Sequence, residues 1–150
     1  MPIDYAALRT EFLTDPNAYG YAPHRLSGND TELANLINRV RASISIPRPD
    51  IQPIEILEAI KITDFVANAN NLMAAWFESI CQFPSVRILK TDGTDTRAMT
   101  NFMSILANNS QSEARLRSLA SRNGSRAEQL FGVNTFITTT DVALARGESW

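Results

Sequence analysis

Apolar residues recur along this chain at steps of three and four, and the longest such run lies between Thr63 and Phe83. There Phe65, Ala69, Leu72, Met73, Trp76 and Ile80 form the stripe of an amphipathic helix. Thr63 suits the N-cap, Asp64 the positive end of the helix dipole, and Pro84 blocks continuation. Val66 and Phe77 widen the stripe, so the segment reads as a central helix touching neighbours over much of its circumference.

Shorter periodic segments surround it. A first helix is expected from about Asp4 to Thr14, with Tyr5, Leu8 and Phe12 inward and Asp15-Pro16 as its stop. Asn17 to Pro23 reads as an irregular loop in which Gly20 takes positive φ. Asp30 is the expected cap of a second helix carrying Leu33, Leu36, Ile37 and Val40. The proline-rich stretch from Ser43 to Gln52 is expected to cross the core without pairing. Pro53 suits the first position of a helix with Ile54, Leu57 and Ile60 inward and Glu58 and Lys61 outward.

Beyond Pro84, Val86 to Leu89 is briefly extended and Asp92-Gly93 is a turn. Thr94 or Asp95 is the expected cap of a helix with the stripe Met99, Phe102, Met103 and Leu106, broken at Asn108-Asn109-Ser110. Ser112 begins another, carrying Leu116, Leu119 and Ala120 and closed by Asn123-Gly124. Ser125 and Glu128 fit a capping box ahead of Leu130 and Phe131, with Gly132 as terminator. Thr135 to Thr139 has β propensity, with Val86 to Leu89 as its best partner. Thr139 or Thr140 caps a last helix with Val142 and Leu144, after which residues 147–150 fray unless Trp150 docks.

These elements predict an all-α fold: one domain over residues 1–150, with six or seven short helices packed on one core around the central helix. At most a minor two-stranded β element accompanies them. A chain of 150 residues buries roughly 68 to 70 per cent of its unfolded surface, so the fold needs no staples. No apolar run approaches the ~20 residues of a membrane span. Asp4 and Glu11 fall where a signal peptide is apolar, which places synthesis in a cytoplasm. The net charge of -2 gives no global attraction to nucleic acid or anionic lipid.

Chemistry is sparse. Cys81 is the single cysteine and His24 the single histidine, so one chain cannot assemble a Cys/His zinc site, and Cys81 reads as a buried thiol. Asp92 and Asp95 lack the further ligands of a calcium loop. Glu55 and Glu58 share a helical face that solvation and Lys61 explain. A Ser/His/Asp triad would need His24 on a loop without a nucleophile elbow, and neither a Walker loop nor a dinucleotide fingerprint occurs. No catalytic residue, metal or cofactor is expected, and the chain reads as a non-enzyme.

One stretch carries a sharper alternative. From Arg97 to Phe131 five arginines (97, 115, 117, 122 and 126) face two glutamates (113 and 128), a local +3. Two short helices across Asn123-Gly124 read as a helix-turn-helix-like hairpin in which Arg115, Arg117, Arg122 and Arg126 would meet DNA. Against this, Asn123 and Ser125 flank the glycine where such motifs bury apolar residues.

The order of features resembles a group of small uncharacterised proteins of tailed bacteriophages and prophages. The matching pieces are Leu13-Thr14-Asp15-Pro16, Gly20-Tyr21-Ala22-Pro23, Gly28-Asn29-Asp30, Leu36-Ile37-Asn38, Pro53 to Ala59, Gly124 to Gly132 and Thr140-Asp141-Val142. The resemblance implies a helical, non-enzymatic virion or assembly component that contacts other phage structural proteins or copies of itself. A small DNA-binding phage regulator is the alternative. Its partner surface is expected among the non-helical segments: Tyr19, Tyr21, His24 and Arg25, the Pro47 to Pro53 crossing, and Phe136 with Trp150.

Overall fold

The computed structural model describes residues 2–60, 79–80, 82–106 and 111–150. The central helix expected from Thr63 to Phe83, its tryptophan Trp76, Cys81, Lys61 and the Asn108-Asn109-Ser110 break lie wholly or largely outside these residues. The described chain is mostly helical, with helices α1 (Tyr5–Thr14), α2 (Tyr21–Leu26), α3 (Asp30–Asn38), α4 (Pro53–Ala59), α5 (Arg97–Ile105), α6 (Gln111–Leu119), α7 (Arg126–Phe131) and α8 (Thr139–Arg146). Strands β1 (Val40–Pro47) and β2 (Ser121–Ser125) pair as a small antiparallel sheet, so the fold is not purely all-α.

Contacts divide the chain into two compact units, Met1–Ile44 with Asn123–Trp150, and Ser45–Arg122. In the first unit α1 packs on α2 and α8, and α3 packs on α2, α7 and α8. Leu8, Phe12, Tyr21, Leu33, Ile37, Ile137 and Val142 supply the buried core. In the second unit α4 packs on α6, and Ile51, Ile56, Ile88, Met99, Phe102 and Leu116 are buried together, with Ile80 among them.

Several local expectations need correction. β1 pairs where a bare crossing was expected: its one proline, Pro47, is the last residue of the strand, where the loss of an N–H is tolerated, and Ile44 and Ile46 alternate inward. Arg48 N continues toward the other strand by donating to Ala120 O at 2.9 Å. Asn123-Gly124, expected as a helix stop, lies within β2, and Thr135 to Thr138 forms no strand. Val86 instead bridges Ile51, and Leu89 bridges Asp95.

Helix α4 begins at Pro53 but is turned: Ile56 and Ala59 are buried, whereas Ile54 and Leu57 are 54% and 42% exposed. Apolar residues at 54, 56, 57, 59 and 60 leave the helix without one periodic face, so neighbouring anchors choose its rotation. Arg48 forks onto Glu55 at 2.9 and 3.2 Å, and the Glu55 carboxylate accepts from Gln52 N at 2.9 Å. N-caps also shift by one or two residues: Asn29, Thr96 and Thr138 open α3, α5 and α8 in place of Asp30, Thr94 or Asp95, and Thr139 or Thr140. The Ser125–Glu128 capping box is present.

Candidate interaction site

Tyr19 and Tyr21 owe their positions to Asp15. This residue ends α1 at φ +41°, and its own N–H donates to Glu11 O at 3.0 Å. Its carboxylate then accepts from the backbone N–H groups of Tyr19, Gly20 and Tyr21 at 2.7, 2.8 and 3.2 Å. Three donors on one carboxylate hold a tight loop, tight enough to keep Ala18 at φ +54°. The irregular loop expected up to Pro23 is therefore shorter, and Tyr21 opens α2. Pro23 is tolerated at the third helical position, where an N–H has no intrahelical acceptor.

Tyr21 is fully buried, with its ring edge-on to Phe12 at 5.0 Å and to Tyr19 at 6.1 Å. Trp150 also docks edge-on to Phe12, with ring centroids 5.6 Å apart. Half-buried Tyr19 lies under the Arg41 guanidinium, 3.8 Å from its ring centroid, a cation–π contact. Beneath them Arg126 forks onto Glu11, Nε to Oε1 at 2.9 Å and Nη2 to Oε2 at 2.7 Å, where Glu11 is 4% exposed. Burial first, and the Glu11 charge second, push the Tyr21 hydroxyl well above its ordinary pKa.

The expected partner surface is thus divided. Tyr21 belongs to the core cluster, and half-buried Tyr19 and Trp150 pack against it. Tyr21 Oη, Arg25 Nε and Trp150 Nε1 are buried without a hydrogen-bond partner among the described residues. His24 and Arg25 are half-buried near the end of α2, where the His24 carbonyl accepts from Asn29 N at 2.8 Å. Of the Pro47 to Pro53 stretch, Ile51 is buried and Asp50 and Gln52 are exposed.

Phe136 is different. Its neighbour Ile137 is fully buried, and the Asn38 amide clamps the Ile137 backbone from both sides, donating to its carbonyl at 2.6 Å and accepting from its N–H at 2.9 Å. With Ile137 anchored inward, the phenyl ring of Phe136 is held 69% exposed. No sequence signal announced this clamp, because Asn38 and Ile137 are 99 positions apart.

The four arginines of the hairpin are not equivalent. Extended β2 separates α6 from α7, so the helix-turn-helix-like hairpin is corrected to helix, strand and helix. Arg117 is held by Glu113 at 3.1 Å and Asp95 at 3.2 Å. Arg126 is held by Glu11 and also donates to Gln129 at 2.7 Å. Arg115 is exposed, with no partner among the described residues, and lines a cleft of about 630 Å³ with Arg48, Glu55, Glu58, Ser118 and Arg122.

Among the described residues no group of three or more His, Cys, Asp or Glu side chains is placed to hold a metal ion. None of their helices is long and apolar enough to cross a membrane. Compared with family models, with curated proteins and with solved structures, the chain matches none.

Proposed function

We propose that this protein is a non-enzymatic structural or assembly component of a tailed-phage virion, made in the host cytoplasm and acting through contacts with other phage proteins or copies of itself. The family reading rests on the residues that resemble the phage group. The observation that carries the contact reading is Phe136, a large aromatic ring held in solvent by the Asn38 clamp. Holding an apolar ring outward gains nothing for folding, and aromatic side chains are enriched at the centres of protein interfaces. Leu26, which is 83% exposed, and Leu144, 57% exposed, add apolar area on the same unit.

The test is mass spectrometry of purified virions, with and without Phe136→Asp. The chain is expected in particles, and the substituted chain is expected to be depleted from them while keeping its solution helicity. Absence of the unsubstituted chain from virions overturns the reading.

A second reading, a small DNA-binding regulator, draws on Arg115, exposed without a partner among the described residues and in one cleft with Arg122. It loses Arg117 and Arg126, which are engaged by carboxylates within the chain.

A further inference from the structure

We propose that the Ser45–Arg122 unit carries both halves of a contact with a second copy of this chain, an apolar socket edged by arginines and an apolar knob edged by carboxylates. The proposal rests on the reading of the protein as an assembly component, and it specifies the surface and the partner.

The socket is a cavity of about 530 Å³ lined by Ile80, Phe83, Val86, Ala98 and the two arginines Arg87 and Arg97. Phe83 is 58% exposed at its rim. The arginines are held near each other by Thr96, the residue before Arg97. Its hydroxyl reaches the Arg87 carbonyl at 2.9 Å, and its N–H donates to Ile88 O at 3.0 Å. Both guanidinium groups are exposed without a partner among the described residues, and no described acidic side chain lines the cavity. An occupant must therefore bring an apolar side chain together with negative charge.

This unit presents such a surface itself. Ile54 and Leu57 stand one turn apart on the exposed side of α4. Glu58, one turn from Ile54, is exposed with no partner among the described residues, and the Asp50 side chain is 75% exposed. Arg48 engages Glu55 at 2.9 Å and also lies 3.8 Å from an Asp50 oxygen, so of these three carboxylates only Glu58 has no partner among the described residues. The knob is thus two branched apolar side chains accompanied by the exposed carboxylates of Glu58 and of Asp50, the latter weakly paired with Arg48, matching in sign and in apolar character a socket with two accessible guanidinium groups. Val86 N donates to Ile51 O at 2.7 Å, so the chain entering α4 is tied to the socket rim.

Charge exchange between two variants tests the pairing by sedimentation velocity on purified full-length chain. The unsubstituted protein is expected to associate as concentration rises. Arg87→Glu with Arg97→Glu, and separately Asp50→Arg with Glu58→Arg, should each weaken association about ten-fold or more, since each alone sets like charges against each other. Mixing the two variants restores opposite charges at the contact and should restore association. All four positions are exposed, so circular dichroism of each variant should match the parent. A parent that stays monomeric over its soluble range overturns the proposal, and so does a mixture that remains as weak as its components. Neither outcome bears on whether the chain is present in virions, so this proposal and the functional reading can fail separately.

Discussion

Glu11 on α1 and Arg126 at the start of α7 are 115 positions apart, yet meet through two nearly parallel hydrogen bonds with 3% and 15% of their side chains exposed. Bringing both charges out of water is costly, and the forked geometry recovers that cost only while both partners are present. Glu11→Ala should therefore destabilise the protein by about 3 to 5 kcal/mol, because it leaves an uncompensated buried charge. Glu11→Leu with Arg126→Met should lose much less than either single change. Urea melts of these variants check this, and a double variant as unstable as the single changes would refute it.

Asp15 has a different task. Its carboxylate gathers three backbone donors, and hydrogen bonds to a charged group are worth about 1.5 to 3 kcal/mol each before non-additivity. Asp15→Ala is expected to cost about 2 to 3 kcal/mol, and Asp15→Asn less, since an amide keeps one acceptor. Ala18→Gly should be neutral or stabilising, because it relieves a left-handed alanine at φ +54°. Thermal denaturation of the three variants reads all of these signs.

The hydroxyl of Tyr21 is buried without a hydrogen-bond partner among the described residues, although its ring is central to the core. Tyr21→Phe keeps the ring and removes an unsatisfied group, so it should be neutral or stabilise by about 1 kcal/mol. A pH effect follows from the raised pKa. The unfolded tyrosine ionises near pH ~10 and the folded one at higher pH, so the folded state binds the proton more tightly. That contribution is fully present below the unfolded value and is lost as pH rises above it. Stability of the parent should fall with pH above about 10, and Tyr21→Phe should flatten that slope. An unchanged slope would place the titration elsewhere.

If the protein binds DNA, Arg115 is the arginine with most to give. Binding should then be strongest at low salt, and Arg115→Ala should weaken it and reduce the salt slope by about 1. Arg117→Ala and Arg126→Ala should act on stability instead, since both side chains are tied to carboxylates. No retardation of DNA at about 50 mM salt, where phosphate contacts are strongest, removes the regulator reading.

The features legible from residue order alone are local. The Asp4 cap, the stop at Asp15, the Ser125–Glu128 box, the Asp92-Gly93 turn and the stripe of Met99, Phe102 and Leu106 are each made by residues within a few positions of one another. Hydrogen-bond geometry at helix ends and the 3.6-residue period act over that range, so they are legible in one dimension.

Tertiary structure decided the rest, because the partners are distant or the local signal is degenerate. The apolar residues of α4 name no single face, and its rotation follows from Arg48 and from the Ile51–Val86 bridge. Ser121 to Ser125 has little β propensity, and its strand state comes from pairing with β1. Phe136 and Ile137 have equal claims to the core until Asn38 pins the backbone, which sends one ring outward and buries the other side chain. Which arginines remain accessible is likewise decided by the carboxylates that folding brings beside them: Glu11 takes Arg126 and Asp95 takes Arg117, while Arg87, Arg97 and Arg115 are left facing solvent.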